Sequence, residues 1–260
     1  MVSWFNLGLG MIKRQIGQLP YYQFEHLAEF PQLTHAVFTR EGGVSKAPFD
    51  WLNVAFGVGD QKEAVAENRR RIMEGLAISP PVYCQQTHGD GIVIADPEMC
   101  VTTPKGDVLV TDHFGLFLAI QVADCQSVML YDPKSGIVAN IHSGWRGSVR
   151  NIIGKTVLQM QRLGSRPKNI IAGVGPSLGP CCAEFINYRK ELPEAIHSYQ
   201  RSENHFDFWH LSFDQLTGQG VLGGHIEQSR ICTCCNSLFF SYRREKRTGR
   251  FATVIGLRKQ

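Results

Sequence analysis

The chain has 260 residues, of which 43% are apolar and 19% are charged, and its formal net charge is +4. These values are ordinary for a globular protein, and no stretch approaches the ~18 consecutive apolar residues that a membrane span requires. The weakly basic balance lacks the concentrated Lys/Arg surface of a nucleic-acid-binding protein, so we expect neither a membrane nor a nucleic-acid partner.

The N-terminal residues 1–17 are mildly apolar, but no basic segment precedes the apolar part and no compact cleavage site of small residues follows it. The pattern therefore does not predict a signal peptide, and we expect a cytoplasmic protein. In that compartment the eight cysteines would be reduced thiols, available as metal ligands or nucleophiles.

The first part of the chain predicts a strand and a helix. Residues 35–40 are typical of a strand, which ends at Arg40 and enters a glycine turn. Asp60 and Glu63 form a candidate capping box for a helix that runs to about Leu76. The face expected to be buried comprises Val65, Ile72, Met73 and Leu76, and the face expected in water comprises Glu67, Arg69 and Arg70.

Four short segments then predict strands around the histidine-bearing part of the chain. Residues 83–86 and 91–95 flank a polar turn that presents His88. Residues 107–111 and 116–122 are further strands, and the second is apolar enough to be central in a sheet.

A hairpin predicted over residues 126–141 brings a cysteine and a histidine together. Its two runs of β-type residues flank the turn sequence Asp-Pro-Lys-Ser. If the connecting loop has an even number of residues, Cys125 lies directly or diagonally opposite His142 on one face. A three-residue loop would place the two side chains on opposite faces.

Beyond the hairpin, residues 144–147 lead into a predicted helix whose apolar positions run from Val149 to Leu163. Its N-terminus would direct free N–H groups towards His142, with Arg146 beside it, which suits a phosphate or another anion. The densest basic run, residues 243–250, should be a solvated loop, although one of its arginines could meet an anionic substrate.

The remaining elements complete a mixed fold without repeats or linkers. Strands are predicted over residues 169–174, 239–243 and 251–257, and helices over residues 189–199 and 212–222. We predict an α+β fold in a single domain over residues 1–260, with mixed β-sheets packed as a sandwich and flanked by helices.

Cys125, His142 and His88 are candidate metal ligands. Taken singly, a cysteine in an apolar strand is usually a small hydrophobic residue, and a histidine is usually a hydrogen-bonded structural residue. Together, two His and one Cys match a catalytic zinc site, which keeps a fourth position for water or substrate.

Other metal patterns find less support in the sequence. Cys232 and Cys235 form a Cys-x-x-Cys. With Cys181 and Cys182 they could make a structural four-thiolate zinc site, but the two groups lack the paired spacing that makes such sites convincing. The zinc deaminase signature fails because Asp90 stands where it needs Glu, and a Rossmann fingerprint and a P-loop are absent.

The chain resembles the YfiH-type family, once called multicopper polyphenol oxidases or laccase-domain proteins and now regarded as purine nucleoside phosphorylases. The matching blocks, which run in order over nearly the whole chain, are TREGGVS (39–45), NVAFGVGD (53–60), ENRRR (67–71), QQTHGD (85–90), DVLVT (107–111), VADCQSVMLYD (122–132), IHSGWRG (141–147), GVGPSLGPCCAEF (173–185) and FFSYRREKRTGR (239–250).

This resemblance implies zinc ligands at His88, Cys125 and His142, with copper less expected. It implies phosphorolysis of adenosine, inosine, guanosine and methylthioadenosine, with adenosine deamination as a further activity. The partners would be purine nucleosides and phosphate. By position, Arg40 and Asn53 would be substrate-side residues, and Arg146 is our own phosphate candidate.

The older laccase name finds no support in the residues, because multicopper oxidases need His-x-His pairs and none of the nine histidines forms one. A zinc ion would instead activate water towards deamination, or polarise the base or ribose. Asp124 could serve as catalytic acid or base, or orient a ligand of the metal.

Two other classes stay open at this point. In a cysteine hydrolase or amidase, Cys125 would be the nucleophile and His142 its base. In a non-catalytic metal-binding protein, the same residues would only hold an ion. Phosphate-dependent release of hypoxanthine from inosine separates phosphorolysis from both.

Overall fold

The computed structural model describes residues 11–259. The prediction that no signal peptide is present rests mainly on residues 1–10, which lie outside the described residues. The strands are β1 (Met11–Ile16), β2 (Leu19–Phe24), β3 (Leu33–Phe38), β4 (Val82–Tyr83), β5 (Ile92–Ile94), β6 (Val108–Thr111), β7 (Phe117–Val122), β8 (Gln126–Asp132), β9 (Ile137–Ser143), β10 (Ile171–Val174), β11 (Gln200–Ser202), β12 (His205–Phe206), β13 (Ile226–Gln228) and β14 (Phe251–Leu257).

The helices are short apart from three. They are α1 (Glu25–Ala28), α2 (Lys62–Leu76), α3 (Trp145–Val149), α4 (Ile152–Arg162), α5 (Tyr188–Glu191), α6 (Phe208–Thr217) and α7 (Tyr242–Glu245). Turns of 3₁₀-helix cover Phe56–Val58, Pro97–Val101, Pro167–Asn169, Glu194–Tyr199 and Gly223–His225. No helix between residues 11 and 259 combines the length and apolar character needed to cross a bilayer.

Two mixed sheets of six strands each form the framework of the described residues. The first has the order β1-β2-β3-β14-β7-β4, and the second has the order β13-β10-β8-β9-β6-β5. Most neighbours are antiparallel, but the edge strands β4, β13 and β5 pair in parallel. Strands β11 and β12 form a separate two-stranded sheet, and His205 of β12 also forms a bridge with Glu184.

The sheets face each other across a shared hydrophobic core. Leu118 and Phe251 of the first sheet and Met129 and Val138 of the second belong to it. Helix α2 covers the outer face of the first sheet, and helices α4 and α6 cover the outer face of the second. The predicted α+β sandwich flanked by helices is confirmed. Strands β8 and β9 are covered on both faces, so every residue in them is buried.

The β8–β9 hairpin has the register on which the predicted site depends. Ser127 pairs with His142, and residues 133–136 form a loop of four residues between the strands. Continuing this register puts Gly144 opposite Cys125, so Cys125 and His142 are diagonal neighbours on one face. The expectation of an even-numbered loop is therefore confirmed.

Three predicted elements were wrong in extent or type. The helix over residues 189–199 is broken at Pro193, which has no N–H for a helical hydrogen bond. The helix over residues 212–222 begins at Phe208, where Asp207 caps it by accepting the N–H of His210 at 2.9 Å. Residues 239–241 are not a strand, and helix α7 follows them.

The predicted capping box of α2 was also wrong. The helix starts at Lys62 without a side-chain cap. Asp60 Oδ2 instead accepts from Asn53 Nδ2 at 2.8 Å and from Ser45 Oγ at 2.6 Å, so loop contacts use this carboxylate. Arg69, predicted to face water, is half-buried and lies over the ring of Tyr83, with its Cζ 3.7 Å from the centroid.

The burial of His35 in β3 should make the free energy of unfolding depend on pH. This residue is fully buried, its Nε2 accepts the N–H of Phe24 at 2.9 Å, and burial lowers its pKa from 6.5 to about 4. Below about pH 6.5 the unfolded chain binds a proton that the folded chain does not bind until about pH 4. The stabilisation is therefore complete above this window and is lost as the pH falls through it.

Between pH 7 and pH 4, we expect the free energy of unfolding to fall by about 3 kcal/mol more in the wild type than in His35→Gln. The glutamine amide oxygen can still accept the N–H of Phe24 but does not titrate. Urea denaturation at several pH values measures the difference, and parallel curves for the two proteins would contradict the assignment.

Candidate metal centre and cavity

Three potential metal ligands lie close together: one in the loop after β4, one in the turn between β7 and β8, and one in β9. The donor atoms of His88, Cys125 and His142 all lie within 4.8 Å of one another. The two imidazole rings meet edge to face, with centroids 4.8 Å apart. His142 is buried, Cys125 is half-buried and His88 is exposed, so the group has a closed side and an open side.

Asp107, which the sequence analysis did not single out, orders two of these residues. Its Oδ1 lies 2.8 Å from His142 Nδ1 and accepts the N–H of His88 at 2.9 Å. Its Oδ2 accepts the N–H of Gly89 and the hydroxyl of Thr87, both at 2.8 Å. His88 has φ +57°, so these bonds hold the turn in a left-handed conformation. With Nδ1 engaged, Nε2 of His142 is the nitrogen that can bind a metal.

The charges at the site shift three pKa values. Burial raises the pKa of Cys125, but His142 and His88 outweigh burial and lower this pKa to about 6. Burial lowers the pKa of His142, whereas Cys125 and Asp107 raise it to about 9. Burial raises the pKa of Asp107, yet the bonds from His142 and Gly89 hold it well below its usual range. The site therefore favours a thiolate, the form of cysteine that binds metal.

Gly144 supplies the space that an ion would need. A Cβ atom there would lie 3.2 Å from Cys125 Sγ and 3.4 Å from His88 Cδ2. A side chain at this position would therefore crowd both potential ligands. Two imidazoles and a thiolate are donors that zinc and copper both accept, so the residues present fit a metal of this kind.

Asp124 precedes Cys125 with φ +85°, and both of its carboxylate oxygens are engaged. Oδ1 accepts the hydroxyl of Thr233 at 2.7 Å, and Oδ2 accepts the N–H of Arg243 at 2.6 Å. The carboxylate therefore ties the Cys125 segment to α7 and to the loop before it.

A cavity of about 760 Å³ opens over the three potential ligands. Four aromatic residues line it, Trp145, Phe185, Phe208 and Tyr242, and are called its aromatic wall; Leu178 and Ile186 add apolar surface. Three basic residues, Arg243, Lys246 and Arg250, also line it and are called its cationic wall, and two glutamates, Glu184 and Glu191, belong to the same lining. Gln121 also lines it, and the Oε1 of this residue is buried without a hydrogen-bond partner among the described residues. The cavity suits a molecule with a flat apolar part and an anionic partner.

Arg40 and Asn53, predicted as substrate-side residues, do not line this cavity. Arg40 Nη1 lies 2.6 Å from Glu245 Oε1, and its guanidinium lies over the Phe240 ring. Asn53 is buried, and its Oδ1 accepts the N–H of Arg250 at 2.9 Å. Both residues therefore support the segment that carries the cationic wall.

Arg146 is exposed, lies over the ring of Trp145 and is likewise not part of the cavity lining. The helix predicted to begin beside it is two helices, because Asn151 adopts φ +57° and caps α4 by accepting the N–H of Gly154 at 3.1 Å. The element next to His142 is thus the five-residue α3. The role of Arg146 as a phosphate ligand stays a prediction, whereas three basic residues between 243 and 250 belong to the cavity lining.

Known proteins resemble this chain in both sequence and fold. A family model described as multi-copper polyphenol oxidoreductase laccase matches residues 34–258. The chain is 32% identical to a purine nucleoside phosphorylase of Bacteroides thetaiotaomicron, over 95% of this chain and 97% of that protein. It is 34% identical to purine nucleoside phosphorylase YlmD of Geobacillus stearothermophilus, over 85% and 89%. The crystal structure of YlmD from that species matches with a TM-score of 0.86 and 32% identity, over 96% of this chain and 100% of the other.

Proposed function

This chain belongs to the family described as multi-copper polyphenol oxidoreductase laccase, and on that premise we propose that it is a purine nucleoside phosphorylase. The observation that carries the proposal is the group of His88, Cys125 and His142 in a cavity with one aromatic wall and one cationic wall. Several relatives at 32–36% identity bear this enzyme's name, which supports the proposal.

The aromatic wall would take the purine base. Flat rings stack on aromatic side chains, and Phe185 and Tyr242 are two of those that line the cavity. Gln86 and Gln121 line the same space, and an amide can donate to a 6-oxo group or accept from a 6-amino group. The substrates that we propose are those that the family resemblance implies, namely adenosine, inosine, guanosine and methylthioadenosine.

The cationic wall would hold phosphate. In phosphorolysis a phosphate oxygen forms a bond to C1′ of the ribose while the C1′–N9 bond breaks, and the departing base takes up a proton. Lys246 would bind the phosphate and hold it in position for this attack. Arg243 and Arg250, whose guanidinium groups donate to backbone carbonyls, would add positive charge beside it.

The metal that we propose is zinc, held by Cys125, His88 and Nε2 of His142. When bound, it would supply Lewis-acid chemistry at the substrate. Asp107 fixes the orientation of His142, and Asp124, with both oxygens engaged, would position Cys125 rather than exchange protons. Copper oxidase chemistry is not proposed, because the nine histidines contain no His-x-His pair.

Adenosine deamination is a second candidate activity at the same site. A His/Cys donor set with an open fourth position is also the kind that nucleobase deaminases use to activate water. Incubation with adenosine in the absence of phosphate would then yield inosine and ammonia.

The decisive experiment measures hypoxanthine release from inosine by zinc-loaded protein, with and without phosphate. Release that requires phosphate and stops with a chelator supports the proposal. Phosphate-independent hydrolysis of amide substrates that resists chelation but stops on thiol alkylation would favour the cysteine hydrolase. Bound zinc without any turnover would favour a metal-binding protein.

Lys246→Ala is expected to raise the KM for phosphate about tenfold and to leave the KM for inosine nearly unchanged. The reason is the loss of one charge-assisted contact to the anion at an exposed position, which we put at about 1.4 kcal/mol, the equivalent of a tenfold change. Steady-state kinetics measure both constants, with phosphate varied at saturating inosine and inosine varied at saturating phosphate.

One control variant and one competing variant show whether a change in the phosphate KM is specific to Lys246. Lys134→Ala removes an exposed charge from the β8–β9 turn and serves as the matched control. Arg146→Ala tests the other phosphate candidate. A larger rise in the phosphate KM for Arg146→Ala than for Lys246→Ala would move the phosphate site to α3.

A further inference from the structure

Four cysteines outside the candidate metal centre lie together. The Sγ atoms of Cys181, Cys182, Cys232 and Cys235 are all within 4.8 Å of one another. Cys235 Sγ lies 3.5 Å from Cys182 Sγ and 3.7 Å from Cys181 Sγ. Four thiolates at about 2.3 Å from one zinc ion are separated by roughly 3.8 Å, whereas a disulfide joins two sulfurs at about 2.05 Å. The separations match a shared metal ion and not a pair of disulfides.

We propose that these four cysteines are a second metal site, which binds one Zn²⁺ as four thiolates and has a structural role. A closed set of four protein ligands leaves no position for substrate, which distinguishes structural from catalytic zinc. The site is separate from His88, Cys125 and His142, and it does not depend on the proposed enzymatic activity.

Backbone hydrogen bonds hold both cysteine-bearing turns in place without an ion. Ser177 pairs with Cys232 in a parallel bridge. The N–H of Asn236 donates to the carbonyl of Cys232 at 3.0 Å, and the N–H of Cys182 donates to the carbonyl of Gly179 at 2.9 Å. The ligands are therefore brought together by the fold, so little ordering remains for the metal to impose.

Gly179 completes the surroundings of one sulfur. Its N–H donates to Cys232 Sγ at 3.3 Å, a contact that stabilises a thiolate. A Cβ at Gly179 would lie 2.7 Å from the Trp209 ring and 3.1 Å from Cys232 Cβ, so only glycine permits this approach.

Two arginines lie beside the turns and would offset the charge of the site. Four thiolates on one dication leave a net charge of about −2. Arg244 Nη1 donates to the carbonyls of Thr233 at 2.5 Å and Cys234 at 3.1 Å. Arg243 Nη1 donates to the carbonyl of Cys182 at 3.0 Å. Both guanidinium groups are thus fixed on the backbone that carries the cysteines.

The location gives the ion a structural consequence. One turn continues into Ala183, Glu184 and Phe185, which line the cavity. The other carries Thr233, which donates to Asp124 next to Cys125. A zinc ion here would clamp two parts of the cavity wall together.

The test uses Cys125→Ala as the background, because that substitution disables the first centre. Protein purified in reducing, zinc-containing buffer is expected to hold about one zinc per chain by elemental analysis. Adding Cys181→Ser and Cys235→Ser should remove it, whereas adding Cys234→Ser, the neighbouring cysteine outside the group, should not. Zinc-free Cys125→Ala protein, or equal zinc in all three proteins, would overturn the proposal.

A second measurement requires no substitution among the four cysteines, so it does not depend on whether such variants fold. Iodoacetamide labelling of Cys125→Ala protein, followed by peptide mass spectrometry, reports which thiols zinc protects. Cys181, Cys182, Cys232 and Cys235 should gain protection when zinc is present and lose it with a chelator, while Cys234 reacts in both conditions. Disulfides among the four in freshly reduced, zinc-loaded protein, or labelling unaffected by zinc, would contradict the site.

Discussion

Cys125→Ala is expected to lower kcat/KM for inosine phosphorolysis about a thousandfold and to remove the metal held with His88 and His142. Metal-ion catalysis contributes several kcal/mol of transition-state stabilisation, and about 4 kcal/mol corresponds to this factor. Two imidazoles alone leave too few protein ligands for a stable site. Steady-state kinetics at saturating phosphate, together with the zinc content of each protein, measure both effects.

Cys234→Ala is the matched control for this substitution. Cys234 is half-buried like Cys125, yet it belongs to neither group of potential ligands among the described residues. Its activity should stay within about twofold of the wild type, since no proposed contact is lost. If Cys125→Ala kept wild-type activity, with thermal denaturation showing an intact fold in both proteins, the three-ligand centre would not be the active site.

Asp107→Asn is expected to weaken zinc affinity at the first centre by 10–100-fold and to reduce activity by a similar factor. The carboxylate accepts hydrogen bonds through both oxygens, with His142 and His88 on one side and Thr87 and Gly89 on the other. An asparagine offers an acceptor to one side only and presents its NH₂ group to the other.

The orientation of the asparagine amide determines whether metal binding by His142 or the stability of the His88 turn is reduced. With NH₂ towards His142, the ring must accept at Nδ1 and carry its proton on Nε2, the nitrogen needed for the metal. With NH₂ towards Thr87 and Gly89, the turn that presents His88 loses its acceptor, which costs about 1–3 kcal/mol for each buried donor left without a partner. Zinc titration and urea denaturation of the same protein separate these effects.

Asp90→Asn is the control, because Asp90 lies in the same turn but pairs at the surface. Its Oδ2 is 2.5 Å from Lys155 Nζ and its Oδ1 is 3.5 Å from Arg150 Nη1. Exposed pairs of this kind contribute about 0–1 kcal/mol. Equal zinc affinity in Asp107→Asn, Asp90→Asn and the wild type would show that Asp107 does not position the ligands.

Much of the fold followed from local sequence patterns. Strands β7, β8, β9 and β14 are buried, and their β-type runs predict them directly. Residues 239–243 were also predicted as a strand. Phe239 and Phe240 are indeed buried, but they lie in a loop, and Ser241 begins helix α7 by accepting the N–H of Arg244. Periodicity reports burial and does not identify which partner buries a residue.

The sequence by itself indicated that Cys125 and His142 could meet, because a short turn joins them in one local hairpin. His88 lies outside that hairpin, and only the folded chain brings it to the other two. Only the tertiary structure decided the rest. Asp107 reaches His142 because β6 pairs with β9. The cations of residues 243–250 reach the cavity because Asn53 and Arg40 anchor that segment. Cys181 and Cys182 meet Cys232 and Cys235 through a bridge between distant loops. Contacts that depend on sheet order and loop docking have no fixed spacing in the chain, so no local pattern could reveal them.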